Sequence, residues 1–131
     1  MSAYLLDTHA LIWLVRDPER VPEYVRSILA DPDNIRLVSA VSAMEITLKH
    51  RLGKLPEGDT FVDDWRGTMF ELMATETPLT PAQGFAAGAL EWDHRDPFDR
   101  MLAAQAIDLG LPLVSGDRAM LTAPGLDVLW K

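Results

Sequence analysis

The chain has 131 residues, 48% apolar and 24% charged, with no cysteine and a formal net charge of −8. That length suits one domain burying roughly two thirds of its unfolded surface, and the balance of apolar and charged residues argues against disorder. The missing cysteines exclude disulfides, thiolate metal sites and thiol nucleophiles, while the acidic balance argues against a general nucleic-acid surface and suits bound cations or a basic partner.

The apolar run at residues 3–6 is broken by Asp7 and His9 before it could act as a signal peptide, and no apolar stretch approaches the ~18 residues of a membrane span. A soluble protein of a reducing cytoplasm, with no membrane partner, is expected.

Residues 3–6 read as a strand and 8–15 as a helix. Residues 22–30 follow as a helix with Pro22 near its first turn, closed by Asp31 and Pro32. A second strand at 35–38 leads into a helix over 39–52, ended by Gly53 in a left-handed position. After a turn-rich connection at 53–59, one amphipathic helix is predicted over 60–74 and a short strand over 77–80. Residues 81–92 read as a helix despite Gly84 and Gly88.

A loop at 94–97 precedes a strongly apolar helix over 98–109, ended by Gly110. The chain closes with a strand at 111–114, a short helix at 118–122 and a strand at 126–129. Strands alternating with helices, without repeat or linker, predict one three-layer α/β/α domain over 1–131 around a central parallel sheet.

Four acids stand out against that frame. Asp7 and Asp117 follow two apolar strands, and in open parallel sheets ligands bind beyond the carboxyl ends of strands. Glu45 falls within the stripe Val41, Met44, Leu48 and Leu52 at helical spacing. Asp99 shares a face with Leu102, Ala103 and Ala106. Each has an ordinary alternative: Asp7 and Asp117 as N-caps, Glu45 at the edge of its stripe paired with Lys49 one turn on, and Asp99 in a helix first turn after Asp96 as N-cap and Pro97. Four such explanations are needed at once, whereas carboxylates gathered without Lys or Arg predicted among them are ordinarily compensated by a divalent metal with oxygen ligands. A metal-dependent hydrolase is the reading that results.

The three histidines His9, His50 and His94 lack zinc-ligand spacing; His9 and His94 could lie near the acids. Phosphate-loop, dinucleotide-binding and serine-hydrolase signatures are absent. The four tryptophans, Trp13, Trp65, Trp92 and Trp130, are scattered as core residues would be.

Four blocks carry a more specific likeness. They run from Leu5 to Trp13 through Leu5-Leu6-Asp7-Thr8-His9, from Val38 to Ile46 through Ser42-Ala43-Met44-Glu45, from His94 to Ala106 through Asp96-Pro97-Phe98-Asp99-Arg100, and over Leu113-Val114-Ser115-Gly116-Asp117. In this order they resemble PIN-domain ribonucleases of the VapC toxin type and span almost the whole chain. The resemblance implies Mg²⁺- or Mn²⁺-dependent endonucleolytic cleavage of RNA, and a cognate VapB-type antitoxin that blocks the site. A homodimer is also expected. By position, Asp7, Glu45 and Asp99 match the core catalytic and metal-binding acids, and Asp117 the fourth; Asp96 is an additional acid. Thr8, Ser42 and Ser115 are candidates to hydrogen-bond the carboxylates.

Two other classes compete. A phosphatase of the haloacid dehalogenase type also ends its first strand in Asp, but carries a second Asp two residues later, where this chain has His9. A noncatalytic α/β module would use the domain only to bind a partner.

Overall fold

The computed structural model describes residues 1–130. Five strands form one parallel sheet in the order β3-β2-β1-β4-β5: β1 Ala3–Leu6, β2 Ile35–Ser39, β3 Ala74–Thr77, β4 Leu113–Val114 and β5 Val128–Leu129. The helices are α1 Thr8–Arg16, α2 Glu23–Ala30, α3 Ala40–Arg51, α4 Asp59–Asp63, α5 Trp65–Leu72, α6 Pro81–Ala89 and α7 Pro97–Leu109. Short 3₁₀ turns occupy Pro18–Arg20, Pro56–Gly58 and Arg118–Thr122.

Successive strand residues point to opposite faces, and this divides the core in two. Leu6, Val38 and Val114 join Leu11, Val25, Phe61 and Met69 on the side of α1, α2, α4 and α5. Leu5, Leu37 and Leu113 join Leu102, Ala106 and Met120 on the side of α7, against which α6 packs. The α3 helix serves both, with Ile46 in the first cluster and Val41 in the second. This is the expected α/β/α layering. Among the described residues no helix is long and apolar enough to cross a membrane.

Strand order reverses between β1 and β4, whose register sets Leu5 beside Leu113 and Leu6 beside Val114. Asp7 continues that ladder, its amide donating to Val114 O at 2.9 Å. The crevice beyond these two strand ends is therefore the switch point where open α/β sheets hold ligands.

Several elements depart from expectation. The helix predicted over 60–74 is two helices, because Asp64 leaves the helical region (φ −151°, ψ 77°) and caps α5 by accepting from Gly67 N at 2.9 Å. A Cβ on Gly67 would stand 2.1 Å from that carboxylate, so glycine is what permits the cap. Met73 then turns left-handed (φ 53°), closing α5 and starting β3 at Ala74, three residues before the predicted strand.

The predicted helix over 81–92 starts with a capping box between Thr80 and Gln83 and stops at Ala89. Its end is held by Arg100 of α7, which donates to Ala87 O at 3.0 Å, Leu90 O at 2.7 Å, Trp92 O at 2.8 Å, His94 O at 2.9 Å and, at 3.4 Å, Gly88 O. One guanidinium thus satisfies carbonyls left open by the helix end and the loop after it. The two terminal strands are shorter than predicted, and residues 118–122 form a 3₁₀ turn.

The stripe predicted on α3 is also displaced. Met44 is 60% and Leu52 50% exposed, and the buried face is Val41, Ser42, Glu45 and Ile46. Glu45 nevertheless points inward as expected.

Candidate active-site cleft

Asp7 is 2% exposed at the junction of β1 and α1. Its Oδ1 accepts from Thr8 N at 2.7 Å, and its Oδ2 from Ser115 Oγ at 2.6 Å. It is thus the N-cap that its position suggests, and both carboxylate oxygens face donors. Burial nevertheless pushes its pKa up to about 7; the Ser115 and Thr8 hydrogen bonds oppose this, and the charges of Glu45 and Asp117 add to it.

Ser115 also accepts from Asp117 N at 3.1 Å, so one hydroxyl links the two strand-end acids. Asp117 in turn caps the 3₁₀ turn after β4, accepting from Ala119 N at 2.9 Å. Thr8 contributes its amide to Asp7, while its hydroxyl bonds Ser42 Oγ at 2.9 Å and ties α1 to α3. Of the three small polar residues expected to hold carboxylates, Ser115 does so by its side chain and Ser42 holds Thr8 instead.

Glu45 is 5% exposed. Its Oε2 pairs with Lys49 Nζ one turn on, while Oε1 is buried without any hydrogen-bond partner. Pairing with Lys49 was the ordinary alternative for this residue. The pair forms, but it brings an ammonium into the cleft, where no Lys or Arg was expected.

Asp99 lies in the first turn of α7, its amide held by the N-cap Asp96 at 3.1 Å. Its Oδ2 lies 2.7 Å from His94 Nε2. Burial pushes its pKa up to about 6, with the charges of Asp7, Asp96 and Glu45 adding and the His94 hydrogen bond opposing. His9 accepts from Gly116 N through Nε2 at 3.1 Å, so the neutral ring carries its proton on Nδ1, 3.4 Å from Asp7 Oδ2. Burial lowers its pKa. His9 also packs edge-on against Trp13 and Trp130. Trp130 lies so near Gly116 that a Cβ there would meet its ring at 2.7 Å.

Asp7, Glu45, Asp96, Asp99 and Asp117 thus line one cleft of about 250 Å³, with His9 and Lys49. All four acids singled out in the sequence are brought together. Spacing gave the Glu45–Lys49 pair but not its place in the cleft, nor the contacts of His9 and His94.

The donors are hard oxygens, and Glu45 Oε1 lacks a partner while burial and neighbouring negative charge work against ionised Asp7 and Asp99. That chemistry fits a cation such as Mg²⁺ or Mn²⁺. Among the described residues no group of three or more acids or histidines is arranged to hold a metal ion directly. Lys49 and His94 each take one carboxylate oxygen. The fit is therefore to a hydrated cation held by one or two carboxylates and its own waters.

Replacing Ser115 by Ala is expected to leave the fold intact and to reduce any cation-dependent turnover roughly 10- to 100-fold, the usual cost of losing a group that orients a ligand. Turnover and cation titration of the variant measure this.

The fold and site define an α/β/α domain with an acid-lined cleft at the switch point of its parallel sheet, built from two strand ends and two helix faces. The sequence profile of the PIN domain matches residues 4–126, and the chain belongs to that family, whose members are generally nucleases that use divalent metals. Two similar solved structures are VapBC2 from Rickettsia felis bound to a DNA fragment from their promoter, and DNA-bound VapBC from Salmonella typhimurium. The first is 16% identical with a TM-score of 0.71, and the second 18% identical with a TM-score of 0.70; each likeness covers 98% of both chains. No curated protein sequence matches the chain.

Proposed function

We propose that this PIN domain is a divalent-cation-dependent endoribonuclease, the toxin of a toxin–antitoxin pair, with Asp7, Glu45, Asp99 and Asp117 as its working acids. The observation that carries the reading is the convergence of these acids on one cleft, with the buried, unpartnered Glu45 Oε1 among them. Asp7 and Asp99 would hold Mg²⁺ or Mn²⁺, with Glu45 and Asp117 completing the shell or orienting the attacking water. A bound cation would lower the pKa of water and offset charge on the phosphoryl oxygens.

The protein's own groups have separate tasks. Ser115 keeps Asp7 and Asp117 in register. His94 fixes the Asp99 rotamer through the 2.7 Å contact. Lys49, held in the cleft by Glu45, presents an ammonium to a phosphate entering there.

Incubating the protein with single-stranded RNA, with and without Mg²⁺ and chelator, tests the proposal. Internal cleavage that requires the cation supports it. Hydrolysis of a phosphomonoester without RNA cleavage would favour the phosphatase reading, against which His9 already stands where that family has its second Asp. Binding without any hydrolysis would favour the noncatalytic module.

The similarity to VapBC structures supports a VapB-type antitoxin as partner, and we place the pair in the cytoplasm with the toxin as a homodimer. A chain of net charge −8 with an acidic cleft should receive an Arg or Lys of that antitoxin against its carboxylates, while apolar contact supplies salt-resistant affinity. Changing that basic residue to Ala is expected to restore RNA cleavage in the complex. Inhibition that persists with the carboxylates still accessible to Mg²⁺ would count against this mode of blocking.

A further inference from the structure

At the opposite ends of the strands from the acidic cleft lies a separate cavity of about 330 Å³, lined by Leu14, Arg26, Leu29, Arg36, Glu71 and Met73 among others. Arg36 is the second residue of β2, and Met73 immediately precedes β3. Strand alternation sends Arg36 to the same side as Val38, beneath α1, α2 and α5, where the neighbouring β1 places Tyr4 and Leu6.

Arg36 is only 6% exposed. Its Nε donates to Leu72 O at 3.0 Å, and that of Arg26 donates to Val21 O at 3.0 Å. Among the described residues neither guanidinium pairs with a carboxylate. Glu71 lines the same cavity yet stays beyond ion-pair distance of both. Arg26 is half-buried and no terminal nitrogen of either arginine is sealed away without a partner, so both charges are open to the cavity rather than paired within the protein. Each fork is instead tethered by Nε to a carbonyl, which leaves its terminal nitrogens as open donors.

We propose that this cavity is a second ligand site, taking a carboxylate carried on an apolar body. The two arginine forks suit the carboxylate, and Leu14, Leu29, Leu72 and Met73 suit the body. A phosphate dianion is disfavoured, because the Glu71 carboxylate repels two charges more than one and the apolar walls give a phosphate no partners. The carboxylate belongs to a free organic acid or to the C-terminus of a polypeptide. The cavity shares no lining residue with the acidic cleft, so its test is independent of RNA cleavage.

The experiment titrates the isotope-labelled full chain and follows the arginine Nε–Hε resonances. The probes are hexanoate, acetate, inorganic phosphate, and the peptide acetyl-Ala-Leu-Leu as free acid and as amide. Hexanoate should shift Arg26 and Arg36 saturably, with acetate at least about tenfold weaker because it lacks the buried methylenes. Arg26→Gln, at the less buried fork, should weaken hexanoate at least about tenfold with an unchanged thermal transition, and Arg36→Lys should weaken it while keeping the charge. A free-acid peptide that binds more tightly than hexanoate, with the amide silent, assigns the ligand to a chain terminus. The reverse order assigns it to a free acid, and both orders support the site. No saturable shift with any carboxylate, or phosphate binding ahead of hexanoate, overturns the proposal. So does Glu71→Gln shifting both arginines as strongly as hexanoate does, since Glu71 would then already be their partner.

Discussion

Asp7→Asn is expected to reduce RNA cleavage about 10³-fold or more, the rate equivalent of losing several kcal/mol of charge stabilisation at the reacting phosphate. The change keeps the side chain's shape, and Asn Oδ1 can still accept from Thr8 N, so α1 retains its cap. What disappears is the negative charge at the carboxyl end of β1. Single-turnover cleavage at saturating Mg²⁺, compared with wild type, measures the effect, and retention of more than a tenth of the wild-type rate would remove Asp7 from the chemistry. Asp99→Asn should fall in the same range, and it also deprives the His94 ring of the carboxylate that faces it at 2.7 Å.

The same substitution should act in the opposite direction on stability. Asp7 titrates at about 7 when folded against 3.8 as a free group, so the folded state binds its proton more tightly than the unfolded chain does. Stability from this group is therefore fully present below pH 4, declines as pH rises from there, and is lost above pH 7. The span is on the order of 4 kcal/mol. Asp99, raised to about 6, acts in the same sense. Thermal unfolding without divalent cations should give a lower Tm at pH 8 than at pH 5. Asp7→Asn should raise the Tm at pH 8 and flatten this dependence. Asp7 is the better choice for relief, because it is nearly fully buried and its pKa is raised further than that of Asp99. Added Mg²⁺ should stabilise wild type and leave Asp7→Asn unmoved, since only a ligand bound by the folded state raises Tm. A Tm that falls on substitution would give Asp7 a structural role.

The residues that announced the site did so through position. Asp7 and Asp117 follow apolar strands, and burial of Leu102, Ala103 and Ala106 confirmed the face on which Asp99 sits. The first strand, the capped start of α7 at Asp96 and Pro97 and its end at Gly110 were legible for the same local reasons. The break at Asp64 was not, because the apolar period runs on through it and the cap depends on bare space at Gly67. The start of β3 was hidden because the left-handed residue that turns the chain is Met73, where glycine or asparagine would have marked it. Glu45 was found through a stripe whose true members differ, since Met44 and Leu52 face solvent and Ser42 and Ile46 face inward. Lys49 was legible as the partner of Glu45 one helical turn on, whereas the contacts of His9 with Gly116 and of His94 with Asp99 depend on how the loops pack, which no spacing rule encodes.

The loop that carries His94 owes its shape to Arg100, whose planar group is shared among five carbonyls between residues 87 and 94. Arg100 sits on the same helix as Asp99, one residue along. The arc from Ala87 to His94 is thereby wound around a spoke fixed to the helix that carries the acid, and its length is set by the number of carbonyls the spoke can reach. An inserted or deleted residue within that arc would shift His94 out of phase with Asp99 even if every side chain named here were kept. Variation in loop length is accordingly better tolerated at the exposed turn around Gly53, which bears no such hub.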